Sequence, residues 1–142
     1  MKRIAVKLFS LFLFFCLTAC SNTYADEVKI GVLSPNTGPF ASGGESLKHS
    51  LQIAVENLNN KGGVLGKKIV LISYDTEGRV DKAKVEALKL IEKDKVSAII
   101  GAYLTEETVV VNEVCALKKV INIVPIAASS EITDNVASNY NR

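Results

Sequence analysis

The side chains able to do covalent or metal chemistry are few among these 142 residues. His49 is the only imidazole. On a helical pattern it falls about 200° round from Leu47, on the polar side, which reads as a solvated surface histidine. Zinc needs a set of Cys and His ligands, and no pair of these has a ligand spacing. No serine has a histidine partner for nucleophilic catalysis. Gly63-Val64-Leu65-Gly66-Lys67-Lys68 has a faint look of a phosphate loop, yet it lacks the four-residue gap and the Ser/Thr after Lys. It also precedes a strand rather than a helix, so it reads as a turn. No G-x-G-x-x-G follows the first strand, so no cofactor motif is present. What remains is Thr105, expected to cap a helix running to Lys118. Its hydroxyl and the unpaired N–H groups of the first turn would face the strand ends, where the positive end of the helix dipole favours an α-carboxylate. Thr105 could equally just cap its own helix, and chemistry alone leaves both open. Glu106 and Glu107 follow it. They read as solvated partners of the dipole, the alternative being a solute with a cationic or amide group close by.

The elements that would position Thr105 alternate regularly. Val28–Ser34 is apolar and β-branched, a buried strand. Pro35–Gly44 reads as a loop, too broken by Pro and Gly for regular structure. From Glu45, Leu47, Leu51, Ala54, Val55 and Leu58 keep the three-four spacing of one helix face. That helix is expected to stop at Lys61-Gly62-Gly63, where glycine supplies the left-handed turn. Lys68–Asp75 is the second strand. Val80, Ala83, Ala87, Leu88 and Ile91 mark a second amphipathic helix. Val96–Ile100 is the third strand, then comes the Thr105–Lys118 helix with Val110, Val114 and Leu117 inward, and Val120–Ile126 is the fourth strand. Strict β-α alternation implies an α/β, doubly wound parallel sheet with helices on both faces, since parallel neighbours require crossovers. Ligands in such sheets bind beyond the C-terminal strand ends. Pro35–Gly44, Asp75–Arg79, Ala102–Thr105 and Ala127–Glu131 are therefore the segments in which to look for a site.

Apolar residues make up 48% of the chain and charged residues 23%, which suits one folded domain rather than a disordered segment. The net charge of +2 comes from Lys2, Arg3 and Lys7 at the start, and the remainder is close to neutral. No basic cluster is present, so nucleic acid is not an expected partner. The first nineteen residues read as an export signal: basic, then apolar from Leu8 to Leu17, then small. An apolar run of about ten residues is half of what a bilayer span needs. Leu17-Thr18-Ala19-Cys20 resembles the lipobox of bacterial lipoproteins, which makes Cys20 the expected lipid acceptor and residues 20–27 a tether. An ordinary signal cut after Ala25 is the alternative. Cys16 would leave with the signal, and Cys115, alone on a helical pattern, reads as a small buried hydrophobe.

Three stretches carry a resemblance. IGVLSPNTGPFASGG from Ile30, AVENLNNKGGVLGKKIVLISYDTEG from Ala54 and IIGAYLTEET from Ile99 are together similar to the leucine/isoleucine/valine-binding protein family, the type I solute-binding proteins of ABC importers. The likeness runs from about Val28 to Thr133. It implies the first lobe of a two-lobed receptor that closes on an amino acid or similar small solute and delivers it to an ABC permease. It implies no enzyme activity and no cofactor. By resemblance, Thr105 stands where a hydroxyl residue takes the solute carboxylate. Ala127 offers a carbonyl and Ser129 a hydroxyl to the solute ammonium, if one residue is deleted before Glu131; without that gap Ala128 takes the hydroxyl position. Gly43 stands where the family's first loop often has an aromatic residue. Residues 28–142 would then be an incomplete first lobe, because the second lobe and hinge strands have no counterpart. A truncated gene product is expected on that basis. A stand-alone lipid-anchored module built on the lobe is the alternative, and a flavodoxin-like domain is a third reading, opposed by the first loop's lack of a phosphate cradle.

Overall fold

The computed structural model describes residues 26–130 and 132. The expected signal, Cys16, Cys20, the tether up to Ala25, Glu131 and residues 133–142 lie outside the described residues. Seven elements follow in order: β1 Glu27–Ser34, α1 Ala41–Asn60, β2 Lys68–Asp75, α2 Val80–Glu92, β3 Ala98–Ile100, α3 Thr105–Lys118 and β4 Ile121–Ile123. The strands form one parallel sheet in the order β2-β1-β3-β4. This is the doubly wound α/β arrangement that strict alternation implies.

Register sorts the side chains onto two faces. Gly31 pairs with Ile72 and Ile99, and Ile99 with Asn122, so these point one way. On that face Leu33 and Ile99 pack with Ala83, Ala87 and Leu90 of α2 and with Val111, Val114 and Cys115 of α3 to form the core. Leu33, Leu90 and Ile99 are fully buried, and each contributes roughly 1.5–3 kcal/mol by leaving water. Asn122 Nδ2 donates to Asn112 Oδ1 at 2.7 Å beneath β4, a buried amide pair between α3 and the sheet.

The opposite face carries α1 and is less complete. Leu47, Leu51 and Val55 are half-buried, whereas Ala54 and Leu58 are exposed. Beside them an apolar groove of about 210 Å³ opens between α1 and the sheet, lined by residues including Leu51, Leu58, Ile30, Ile100 and Ile123. The expected apolar stripe of α1 is thus present, but only part of it is covered.

Four further expectations are corrected. Helix α1 starts at Ala41, not Glu45, and runs through Gly43-Gly44. A Cβ on Gly44 would overlap the Pro35 carbonyl oxygen and lie 2.6 Å from its carbon, so a close backbone crossing, not a loop, explains that glycine. On α3, Val114 is inward as expected, but Val110 is half-buried and Leu117 is 82% exposed. Val111, Cys115, Thr108 and Asn112 fill the buried face instead, the two polar ones with hydrogen bonds. The third strand is confined to Ala98–Ile100. Strand β4 spans only three residues and lies at the sheet edge, with Pro125 unable to continue a ladder as donor. The end of α1 is as expected: Gly62 and Gly63 have φ of 97° and 73°, and Gly63 N–H donates to Leu58 at 2.9 Å.

Candidate functional site at the sheet end

The order β2-β1-β3-β4 places the switch in winding direction between β1 and β3, and the loops that leave those two strands form the crevice where open α/β sheets take ligands. The loop after β1, residues 35–40, is held by Asp75 at the end of β2. Its Oδ1 accepts the N–H groups of Asn36 at 2.8 Å and Thr37 at 3.3 Å, and its Oδ2 accepts Thr37 Oγ1 at 2.6 Å. Glu77 N–H adds a local bond at 2.9 Å. Partial burial pushes the Asp75 carboxyl up, but these donors outweigh it and hold it below the usual carboxylate range. On the loop side, Ser34 Oγ donates to Asn36 Oδ1 at 3.0 Å. Asp75 escaped the sequence reading as a site residue, although the segment it opens was one of those singled out.

Helix α3 has the expected bounds, but its cap is not the expected Thr105. Leu104 is the N-cap, extended at φ −91° and ψ 153°, and Thr105 is the first helical residue. Glu107 Oε2 reaches back to accept Leu104 N–H at 3.1 Å, so a carboxylate does the capping. Thr105 Oγ1 makes no capping bond. The N–H groups of Thr105, Glu106 and Glu107 have no acceptor among the described residues, and Thr108 N–H is the first to be paired, with Leu104 at 3.0 Å. Glu106 is exposed, as a solvated dipole partner should be. Glu107 corrects that expectation: it is fully buried, and its Oε1 has no hydrogen-bond partner. The capping bond draws its carboxylate under the loop rather than into water.

Gly43 lies in the first turn of α1, and the structure sets it against Tyr103. Phe40, just before α1, stands 6.5 Å from Tyr103 between ring centroids at a tilt of 38°. Ala127 and Ser129 lie half-buried in the segment after β4. Ser129 carbonyl accepts Ile132 N–H at 3.2 Å. All four expected ligand residues thus sit beyond the C-terminal ends of the strands, Gly43 and Thr105 at the β1/β3 crevice itself. The start of α3 suits an anion: the N–H groups of residues 105–107 have no acceptor among the described residues, and they lie at the positive end of a fourteen-residue helix. Among the described residues no group of three or more His, Cys, Asp or Glu could hold a metal. Nor is any described helix long and apolar enough to cross a membrane. Cys115 is buried, and burial pushes its thiol up to about 12, which makes it a packing residue, as expected.

Comparison with known proteins agrees with this architecture. Residues 27–141 match the family model described as periplasmic binding protein. The Leu/Ile/Val-binding protein homolog 7 of Brucella abortus is 37% identical over 116 residues, covering 82% of this chain and 29% of that protein. A solute binding protein of an ABC transporter from Rhodopseudomonas palustris, solved in complex with 3,4-dihydroxybenzoic acid, superposes with a TM-score of 0.74 at 32% identity. The alignment covers 82% of this chain and 31% of that one. The branched-chain amino acid transporter substrate binding protein LivJ of Streptococcus pneumoniae, in complex with isoleucine, gives 0.77 at 26% identity over 82% and 33%. The chain therefore spans about a third of the length of the proteins it matches. Fold, sheet order and sequence together make this chain a member of the periplasmic binding protein family, whose relatives here are the Leu/Ile/Val-binding and other ABC-transporter substrate-binding proteins.

Proposed function

We propose that this chain is the first-lobe part of an exported solute-binding component of an ABC-type importer, taking a branched-chain or related amino acid. The observation that carries the reading is the start of α3. Thr105 is the first helical residue and not the cap, the N–H groups of residues 105–107 have no acceptor among the described residues, and the Glu107 carboxylate accepts only the Leu104 N–H, which leaves those first-turn donors open. Thr105 and the first-turn amides bind the α-carboxylate, and the Ala127 carbonyl and Ser129 hydroxyl accept from the α-ammonium. The solute would pass to an ABC permease. Relatives bearing Leu/Ile/Val-binding names, and a neighbour solved with isoleucine, support this solute class.

The test is a titration of the isotopically labelled chain with leucine, isoleucine and valine, followed through the amide resonances of residues 105–107. Thr105→Ala should weaken binding by roughly 1–3 kcal/mol, about 5- to 150-fold, as removal of a donor to a charged group does. Stability unchanged with affinity lost indicates a ligand residue. Stability lost with affinity unchanged indicates a cap and overturns the assignment. Membrane attachment belongs to the same proposal: Cys20 carries lipid, and Cys20→Ala should move the protein out of the membrane fraction or block its processing. Unchanged fractionation and mature mass would remove the lipoprotein reading.

A further inference from the structure

The two most exposed large apolar side chains among the described residues stand at the same end of the lobe: Leu65 is 95% exposed and Leu117 82%. Leu65 is at the tip of the turn that leads into β2, where Val64 and Lys67 exchange backbone hydrogen bonds at 2.9 and 3.0 Å. Leu65 and Gly66 have φ of 53° and 75°, positions in a tight turn that asparagine and glycine usually fill, and here the leucine side chain meets solvent rather than a packing partner. Leu117 is in the last turn of α3, just before β4. All four strands are parallel and each helix runs back against them, so both leucines lie at the N-terminal strand ends, opposite the crevice at Thr105. Residues 1–25 join the lobe at this end too, because Asp26, at the start of β1, accepts from Lys67 Nζ at 2.7 Å.

The same end is rich in lysine. Lys61 follows α1, Lys68 opens β2, Lys93 and Lys95 follow α2 and Lys119 follows α3. All five are exposed, and among the described residues none is within ion-pair distance of a carboxylate. The acids here are fewer. Asp26 pairs with Lys67, Glu92 with Lys118 at 2.6 Å, and Asp94 accepts from Tyr74 Oη at 3.0 Å, with Glu27 exposed beside them. Three helix C-termini add about half a negative charge each and do not cancel the excess. At the crevice end the balance reverses, with Asp75, Glu77, Asp81 and Glu106 among its acids. No run of the sequence announces the lysines, because they come from three separate connections.

We infer that this base is a peripheral docking surface for an anionic lipid bilayer, with Leu65 and Leu117 entering the headgroup boundary and the lysines meeting lipid phosphates. Each leucine has lysines close behind it in the chain, Lys67 and Lys68 after Leu65 and Lys118 and Lys119 after Leu117. That pairing suits a membrane interface, where an apolar tip leaves water while ammonium groups stay at headgroup level. The lysines span the sheet from β2 to β4, three strand spacings or roughly 14 Å. Such a spread fits a flat charged surface rather than one small anion. Docked in this way, the lobe turns its crevice away from the bilayer. The inference goes beyond the solute-binding reading and needs neither a bound solute nor lipid on Cys20, so its failure leaves both of those standing.

The chain contains no tryptophan, so Leu65→Trp, Leu117→Trp and Val85→Trp each carry one fluorescent reporter. Val85 is exposed in the middle of α2, away from the base. Each full chain is mixed with vesicles of equal parts phosphatidylglycerol and phosphatidylcholine, and separately with phosphatidylcholine alone. On the anionic vesicles Leu65→Trp and Leu117→Trp should shift their emission to the blue and be quenched by brominated acyl chains, and Val85→Trp should do neither. Salt at about 1 M, which screens charges beyond roughly 3 Å, should reverse the shift. Adding Lys61→Glu, Lys68→Glu and Lys119→Glu to Leu65→Trp should raise the lipid needed for half the shift about tenfold or more. The salt arm keeps every lysine, so it tests the charge argument even if the triple replacement does not fold. A chain held by its apolar leader alone would leave all three reporters unshifted, and that result overturns the inference. Shifts of equal size on phosphatidylcholine alone, or equal at Val85→Trp, overturn it as well. A blue shift without lipid that grows with protein concentration would assign the leucines to a second copy of the chain and overturn the bilayer as partner.

Discussion

Replacing Asp75 by alanine removes a carboxylate that accepts three hydrogen bonds from the loop after β1 and one from its own turn. A hydrogen bond to a charged group contributes about 1.5–3 kcal/mol singly, but Asp75 is only partly buried, and water replaces some of what is lost. The four bonds also share one carboxylate and do not add, so the expected loss is about 2–4 kcal/mol at pH 7. Asp75→Asn keeps an Oδ1 acceptor for Asn36 but loses the charge, and should fall between parent and alanine. The pH dependence has a definite sign. The Asp75 carboxyl titrates lower in the folded chain than in the unfolded one, so its contribution is complete above the unfolded value near 4 and is lost as pH falls through the lower folded value. Urea unfolding at pH 7, 5 and 3 measures both effects. The gap between parent and Asp75→Ala should be widest at pH 7 and 5 and should narrow at pH 3. A gap under about 0.5 kcal/mol at pH 7, or one that does not narrow in acid, would refute the argument that this carboxylate fastens the first loop.

Two further outcomes follow from the packing. Asn59 Nδ2 donates to the Ile69 carbonyl at 2.9 Å and its Oδ1 accepts Ile69 N–H at 2.8 Å, so Asn59→Ala should cost about 1–3 kcal/mol in urea unfolding, while Asn60→Ala, on the exposed side, should cost little. With Cys16 and Cys20 replaced by serine, Cys115 should resist a thiol reagent at pH 8 in the folded state and react stoichiometrically in urea, because burial holds its thiol protonated; rapid reaction of the folded protein would contradict the buried position.

The fold was legible in the sequence wherever a single element's periodicity decided it. Strand β2 and helix α3 have the expected bounds, because each is a pattern bracketed by turn residues. Legibility ended where the deciding contact comes from elsewhere in the chain. Gly43-Gly44 looks like a loop until Pro35 is known to cross it. Asn112 joins no apolar spacing of α3, and its buried place follows only from Asn122 of the edge strand, which lies beneath it. The same division holds at the sheet end. The free helix start at Thr105 follows from a strand, a glycine and a helical run in close succession. Asp75 meets Thr37 across 38 residues, and Tyr103 meets Gly43 only through the β1–β3 pairing, so no local pattern announces either.

These long-range contacts explain how a lobe with one half-open face can still shape a site. Helix α1 is fastened at both ends: its first turn lies against Pro35 through Gly44 and against Tyr103 through Gly43, and near its last turn Asn59 clamps β2 at Ile69. Only its middle, at Leu51, Ala54, Val55 and Leu58, borders the apolar groove. The start of α3, by contrast, belongs to the sealed face, where Val111, Val114 and Cys115 join the core and Glu107 caps the first turn. Asp75 ties the first loop to the end of β2, which pairs with β1 along its full length. The residues that would meet a solute are therefore held by the strand pairs, by the α2–α3 layer and by the pinned start of α1. The incomplete burial of the α1 face affects the stability of the lobe more than the geometry of its sheet end.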